Sequence, residues 1–355
     1  MKITISKSII ENILINAQPF LEKKDTSQIT SHVFINVNEE KLTLRATDQE
    51  IGFEVSTDLL NIISTGSITA NGKKLLDIIR ILKDTEINLE VKNEILFISQ
   101  SHSKFKLPTF SYNDFPSFPT YEGKPRISIN SHSLIESLKK ITPAIDTNNP
   151  KFELNGALID IKKDSINFAS TDTRRLAIVT ITNTSDNELS IIIPKKAIVE
   201  IQKLFFDDIE MYYDDTNLII HSKQYTFFTK LINGKFPEYT RIIPKEIKNS
   251  LILPKAKMIE SIKQITTISS DVKISFLSDL IVFESLSDDN IEAKTEINFI
   301  TNFSEDFVIA INSKYLLDFL NSINSSEFTI GLNEGNLPFV LIDANFKTVV
   351  MPIVI

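Results

Sequence analysis

One pattern recurs three times along the chain at an equal interval, and that regularity limits the fold more than any other feature. Ile3-Thr4-Ile5 leads to Ile10-Glu11-Asn12-Ile13. Ile127-Ser128-Ile129 leads to Ile135-Glu136-Ser137-Leu138, and Leu251-Ile252-Leu253 leads to Ile259-Glu260-Ser261-Ile262. The triplets start 124 residues apart both times. Each triplet reads as an alternating strand. The i, i+3, i+4 spacing of Ile9, Ile10, Ile13 and Leu14, repeated in Leu134, Ile135 and Leu138, reads as an amphipathic helix. A repeat of this length is domain-sized and takes precedence over local motifs.

A second strand–helix unit lies inside each third. Ile68-Thr69-Ala70 precedes Lys73 to Ile79, Ile191-Ile192-Ile193 precedes Lys196 to Ile201, and Val308-Ile309-Ala310 precedes Lys314 to Leu320. A Lys stands four residues before an acid in all three, a helix-surface spacing. Helices are expected over windows 7–19, 72–83, 131–143, 194–204, 254–265 and 312–323. Alternating runs such as Lys41 to Arg45 and Ile87 to Val91, bounded by Asn, Asp and Ser, predict antiparallel hairpins. The class is α+β: three similar domains, 1–122, 126–245 and 249–355, each with antiparallel sheets and two helices on one face. The joints fall near Glu122-Gly123-Lys124-Pro125 and Pro244 to Lys248.

The 355 residues are 42% hydrophobic and 24% charged, an ordinary globular balance. No apolar run approaches the roughly 20 residues that span a bilayer. The opening Met1-Lys2-Ile3-Thr4-Ile5-Ser6 alternates like a strand rather than a signal peptide, so a cytoplasmic location is expected. The absence of cysteine excludes disulfides, thiolate metal sites and Cys nucleophiles.

The net charge of −8 argues mildly against a nucleic-acid partner, but its distribution reverses the argument. The six helix windows hold 14 bases and 6 acids, so they carry +8 and the remaining chain −16. The bases proposed to face DNA are Lys73, Lys74, Arg80, Lys139, Lys140, Lys195, Lys196, Lys203, Lys255, Lys257 and Lys314; Lys7, Lys83 and Lys263 complete the count. Lysine also collects on the wet face of any amphipathic helix. A shared excess over six helices favours a basic face that neutralises phosphate without reading bases.

Catalytic patterns are missing. His32, His102, His132 and His221 are scattered with no i, i+4 pair, and each reads as a surface or strand residue. The doublets Asp207-Asp208, Asp214-Asp215 and Asp288-Asp289 fall in expected turns, where solvated Asp is commonplace, rather than in a Mg²⁺ site. Gly66…Gly72-Lys73-Lys74 imitates a phosphate loop, but five residues separate the glycines where the motif has four, and Lys74 stands where Ser or Thr is required. No nucleophile elbow or dinucleotide fingerprint occurs. No enzyme, cofactor or metal is expected.

Over essentially its whole length the chain resembles the bacterial DNA polymerase III β subunit, the sliding clamp family. The matching stretches are Ala46-Thr47-Asp48-Gln49-Glu50, Leu154-Asn155-Gly156, Ser170 to Ala177, Ile193-Pro194-Lys195-Lys196, Asn233-Gly234-Lys235-Phe236-Pro237-Glu238-Tyr239 and Val349-Val350-Met351-Pro352-Ile353. The resemblance implies a DNA clamp fold and a head-to-tail homodimeric ring that encircles double-stranded DNA independently of sequence, with helices inside and sheets outside. It implies as partners a replicative polymerase catalytic subunit, a clamp loader and other proteins bearing a clamp-binding motif, with no membrane role.

Carried over by position, the partner-peptide pocket would comprise Leu154, Thr171, Arg175, Leu176, Pro237, Arg241, Ile242, Val349, Met351, Pro352 and Ile353, with the two Arg at its edge. An aliphatic, Met- and Pro-containing groove suits a short extended motif of the Gln-Leu-x-Leu-Phe kind. The dimer interface would set Phe105 and Leu107 against the Ile268 region of the next chain. Three departures stand out. Thr173-Arg174 replaces the frequent Gly-His, Val354-Ile355 replaces the usual charged terminus, and 272–284 lacks an expected Arg-containing strand. Two other readings compete: a protein-only scaffold that lost the DNA role, and an enzyme with a cryptic metal site at Asp207 and Asp214.

Overall fold

The structure, a computed structural model, describes all residues except 184–187, 207, 287–291, 304 and 355. Asp207, Asp288, Asp289 and Ile355 therefore lie outside the described residues. Six helices appear where the spacing places them: α1 (Lys7–Ala17), α2 (Gly72–Ile81), α3 (Ser131–Ile141), α4 (Lys195–Leu204), α5 (Lys255–Ile265) and α6 (Ser313–Ser322). α2 ends earlier than its window, and Lys83 lies beyond it. Asn71 and Asn312 cap α2 and α6 by accepting from Lys74 N and Lys314 N.

In space the chain packs into two compact units, each combining parts of more than one third. The first holds Met1–His132 with Val199–Leu231, and the second holds Ser133–Ile198 with Ile232–Ile355. The reason is strand pairing across the thirds. In the first unit one sheet runs Arg126–Ile127, Glu210–Tyr213, Asn217–His221, Tyr225–Lys230, Ile51–Thr57, Leu42–Thr47, His32–Val37 and Gly66–Asn71. In the second unit the order is Asn249–Pro254, Glu327–Leu332, Phe339–Asp343, Phe346–Val350, Arg175–Thr182, Ser165–Thr171, Gly156–Ile161 and Leu189–Pro194. The two eight-stranded sheets share one topology, as a repeat of paired thirds requires. Both are antiparallel; Leu42–Thr47 largely alternates in burial, whereas Gly156–Ile161 and Arg175–Thr182 hold runs of consecutive buried residues.

Two smaller sheets remain. A five-stranded one in the first unit ends on Ser103–Pro108, and a four-stranded one in the second unit ends on Lys294–Asn298. No helix among the described residues is long and apolar enough to cross a membrane.

His32 is a buried titratable group of the first unit. It is 5% exposed, stacks on Phe110 at 4.4 Å between ring centroids, and lies 3.3 Å from Thr69 Oγ1 through Nδ1. Burial, aided by the nearby Lys74 charge, pushes its pKa down to about 4. Above the ordinary value of about 6.5, folded and unfolded chains both carry neutral imidazole. Below it the unfolded chain takes up a proton that the folded one refuses, so stability falls from about pH 6.5 to about pH 4. The expected loss from this residue is about 2 kcal/mol. Urea midpoints at pH 7 and pH 4.5 should differ by less in His32→Gln than in the parent; an unchanged difference would exclude His32 as the cause.

Candidate functional site

In the second unit the middle of the large sheet joins residues far apart in sequence. Arg175 and Leu176 pair with Val350 and Val349. The turn before them is fixed by its own side chains. Thr171 Oγ1 donates to Arg175 O at 2.6 Å and accepts from Thr173 N at 3.1 Å, and Asp172 Oδ1 accepts from Arg174 N and Arg175 N. The same turn occurs 124 residues earlier, where Thr47 bonds Ile51 O and Gln49 N and Asp48 accepts from Glu50 N and Ile51 N. Thr173 and Gln49 both adopt φ +73°. A β-branched residue there carries strain on the order of 1–3 kcal/mol, which explains why glycine suits the position.

The residues assigned to the pocket separate into a floor and a rim. Leu154, Leu176 and Val349 are buried in one apolar cluster with Leu158, Phe236, Tyr239 and Val340. Thr171 is buried, whereas Arg241, Ile242 and Met351 are exposed, and Pro237, Pro352 and Ile353 lie between. Met351 N donates to Arg174 O at 2.9 Å and Ile353 N to Ala310 O at 2.7 Å, which fixes the terminal segment beside the turn. Phe236, Tyr239 and Val340 were absent from the expected set. Tyr239 donates its hydroxyl to Asp160 Oδ2 at 3.0 Å, and burial together with that carboxylate pushes its pKa far up. The Phe236-Pro237-Glu238-Tyr239 run was the signal that could have found the aromatic pair.

Arg175 departs from its expected place at the groove's edge. It is 5% exposed and buried beneath the turn. Its Nε meets Asp172 Oδ2 at 2.9 Å, Nη1 meets Asp318 Oδ2 at 2.7 Å, and Nη2 donates to Pro143 O. The guanidinium also lies 4.6 Å from the centre of the Tyr315 ring. A planar, five-donor cation satisfies two carboxylates and a carbonyl at once, which lysine cannot do. This residue ties the strand carrying Leu176 to α6.

The first unit contains the counterpart of this junction, and there it is filled. Its central strands pair Gly52 with Phe228, at the positions of Leu176 and Val349. The Phe228 ring lies over Gly52, where a Cβ would overlap it. Phe118 packs edge-on against Phe228 at 5.0 Å. The flanking segment adds Phe115 on Phe34 and Tyr121 on Tyr212 and His221. Aromatic side chains therefore occupy in the first unit the place that Leu176, Val349 and their aliphatic neighbours hold in the second.

The expected basic set also divides. Lys255, the first residue of α5, donates to Ile323 O at the end of α6 at 2.6 Å, and Lys195, the first of α4, donates to Ile145 O at 2.7 Å. Lys7, the first of α1, donates to Leu82 O at 2.7 Å past the end of α2. Three lysines thus cap the carbonyl end of a neighbouring helix, where a cation is favoured. Burial lowers the Lys195 pKa. The helical excess of bases is partly architectural. By contrast, Lys73, Lys74 and Lys257 are exposed and make no ion pair among the described residues. Arg80, Lys139, Lys196, Lys203 and Lys314 are exposed, while Lys140 is half-buried with its ammonium 5.8 Å from the Phe346 ring centre.

Phe105 and Leu107 lie on the open edge strand Ser103–Pro108, and Ile268 is 40% exposed just beyond α5, which packs on the other open edge strand. Among the described residues no group of three or more His, Asp or Glu could hold a metal ion. Burial raises the Asp214 carboxyl, but hydrogen bonds from Lys124, Thr216 and Asn217 outweigh it and hold the group below the usual carboxylate range. That residue closes a turn.

Three family models cover the chain: the N-terminal domain of the DNA polymerase III beta subunit matches residues 1–119, the central domain 128–238 and the C-terminal domain 240–354. A beta sliding clamp of Helicobacter pylori (strain ATCC 700392 / 26695) is 38% identical over 99% of this chain and 100% of its own length. The beta sliding clamp of Buchnera aphidicola subsp. Rhopalosiphum padi is 30% identical over 94% of each. The crystal structure of a Helicobacter pylori beta clamp bound to a DNA ligase peptide superposes with TM-score 0.94 at 37% identity over 100% of both chains. The polymerase III subunit beta of Pseudomonas aeruginosa, at 24% identity, shares the fold with TM-score 0.93 over 100% of both. The shared sheet order, the repeated Thr-Asp turn and the full-length match have one explanation: the chain belongs to the DNA polymerase III beta subunit family, the beta sliding clamps.

Proposed function

We propose that this chain is a non-catalytic DNA sliding clamp. It forms a homodimeric ring around duplex DNA, tethers the replicative polymerase, and receives a clamp loader and other motif-bearing partners in the Leu154–Leu176–Val349 pocket. The observation that carries the reading is the pair of incomplete sheets. Two thirds complete an eight-stranded sheet in each unit, leaving a five-stranded and a four-stranded sheet with open edge strands. Pairing Ser103–Pro108 of one chain with Lys294–Asn298 of the next supplies the missing third junction without a new kind of contact. Such edges otherwise invite uncontrolled association. Lys104 and Lys106 would face Glu296 across that pairing, with Phe105, Leu107 and the Ile268 region beside it.

The domains then read as 1–122, 126–245 and 249–355, with sheets shared at each joint. The protein acts in the cytoplasm, at the nucleoid. A ring holds DNA by closure, so its phosphate contacts can be weak and exchangeable, as sliding requires. Lys73, Lys74 and Lys257 are the strongest candidates for those contacts because they are exposed and unpaired with acids.

The test is the triple variant Lys73→Glu, Lys74→Glu, Lys257→Glu. Its affinity for duplex DNA should fall, and the slope of log affinity against log salt should drop by roughly one per lysine removed. The parent should stay on nicked circular DNA after loading and escape when the circle is cut. Unchanged affinity, salt slope and retention in the triple variant would favour the protein-only scaffold.

A further inference from the structure

The first unit holds a second feature, apart from the filled junction and unrelated to the pocket. A cleft of about 790 Å³ opens beside α1 and the end of α4, within the size range of small-molecule sites. Asn12 and Asn16, one turn apart on α1, form one wall; Lys203, Phe206 and the Lys223–Tyr225 turn form the others.

Phe206 is 81% exposed, yet it is held. Its neighbour Phe205 is buried against Phe227 with ring centroids 6.3 Å apart, and Ile209 N donates to Ser131 Oγ at 2.9 Å. The ring therefore stands in water beside a buried aromatic neighbour. Asn16 donates to the Tyr225 hydroxyl at 3.5 Å across the cleft, and Ser222 closes the turn through Tyr225 at 2.8 Å. The walls are mainly amides and hydroxyls, which poorly suit an apolar peptide.

We propose that this cleft takes a segment of single-stranded nucleic acid, one base stacked on Phe206 and its phosphates beside Lys223, with Lys203, which is held to Glu200 at 2.9 Å, adding its charge at the far side. An exposed aromatic ring flanked by lysines is the combination that binds unpaired strands without sequence preference. The amides of Asn12 and Asn16 can meet a base edge, since an amide offers both a donor and an acceptor. Asp208, also on the rim, repels phosphate and so leaves its end of the cleft to the base. A duplex cannot use the ring, because its bases are already stacked. The proposal needs no ring closure and stands apart from the clamp reading.

The chain contains no tryptophan, so Phe206→Trp installs a single reporter at the proposed stacking face. Titrating this variant with a thymidine oligonucleotide should quench its emission to saturation, whereas a duplex of equal length should leave it unchanged. Leu59→Trp, at a site 66% exposed in the same unit, should not respond. Lys223→Glu in the Phe206→Trp background should shift the midpoint to several-fold higher oligonucleotide concentration. Phe206→Ala should weaken single-strand binding about tenfold by anisotropy, with partner-peptide binding unchanged. Unchanged Phe206→Trp emission while anisotropy reports bound oligonucleotide would overturn the proposal, as would equal quenching at Leu59→Trp.

Discussion

Arg175→Ala should cost the second unit about 3 kcal/mol of stability, because it removes the buried cation that joins Asp172, Asp318 and the Pro143 carbonyl and leaves Asp318 only the exposed Lys314 among the described residues. The size follows from burial. Its side chain is only 4% exposed in both ion pairs, so water replaces little of what is lost. Arg175→Lys should recover less than half of the loss, since an ammonium cannot serve Asp172, Asp318 and Pro143 O together. Hydrogen exchange should quicken first in the strand Arg175–Thr182 and in α6, the two elements the guanidinium joins. Partner-peptide affinity should fall alongside stability, because the Leu176 and Val349 floor loses its support. A large affinity loss with unchanged stability and exchange would instead place the guanidinium in direct contact with the peptide.

Removal of residues 351–355 should abolish partner-peptide binding, a loss of about 100-fold or more, while the dimer persists. Met351 is an exposed, flexible apolar side chain beside a buried floor, the arrangement in which a few residues carry most of the binding energy. The last strand ends at Val350, so truncation leaves the sheet intact and, among the described residues, removes the Met351 and Ile353 backbone hydrogen bonds. Met351→Ala alone should weaken binding several-fold. Isothermal titration with a Gln-Leu-x-Leu-Phe peptide, paired with sedimentation, separates the outcomes. Equal affinity in the truncated chain would refute the pocket; loss of the dimer would place the terminus in the subunit interface.

The helices and the repeat were legible because both are local. Three-fold recurrence at 124 residues and i, i+3, i+4 spacing need no knowledge of tertiary contacts, and all six helices fall in their windows. The sharing of sheets between thirds was not legible, since strand alternation shows which face is buried but not which strand lies alongside. Two residue types were misread for a related reason. Arg175 was placed at the rim by position from the resemblance, yet the neighbouring Asp172, the distant Asp318 and the Pro143 carbonyl accommodate it inside. Lys195 and Lys255 counted as DNA-facing because they open basic helices, but each reaches a carbonyl belonging to another helix. In both cases at least one decisive partner (Asp318 and Pro143 for the arginine, Ile145 and Ile323 for the lysines) lies tens of residues away, beyond the reach of spacing arguments.

The filling of Gly52 by Phe228 bears on traffic. Under the proposed pocket assignment, each chain offers a single seat although its architecture contains two positions where one could have formed. Partners on the same chain must then succeed one another rather than sit side by side. The order of that succession depends on residence times, which vary among related complexes far more than arrival rates do. An aromatic ring lying over a glycine turns simultaneous occupancy into a queue.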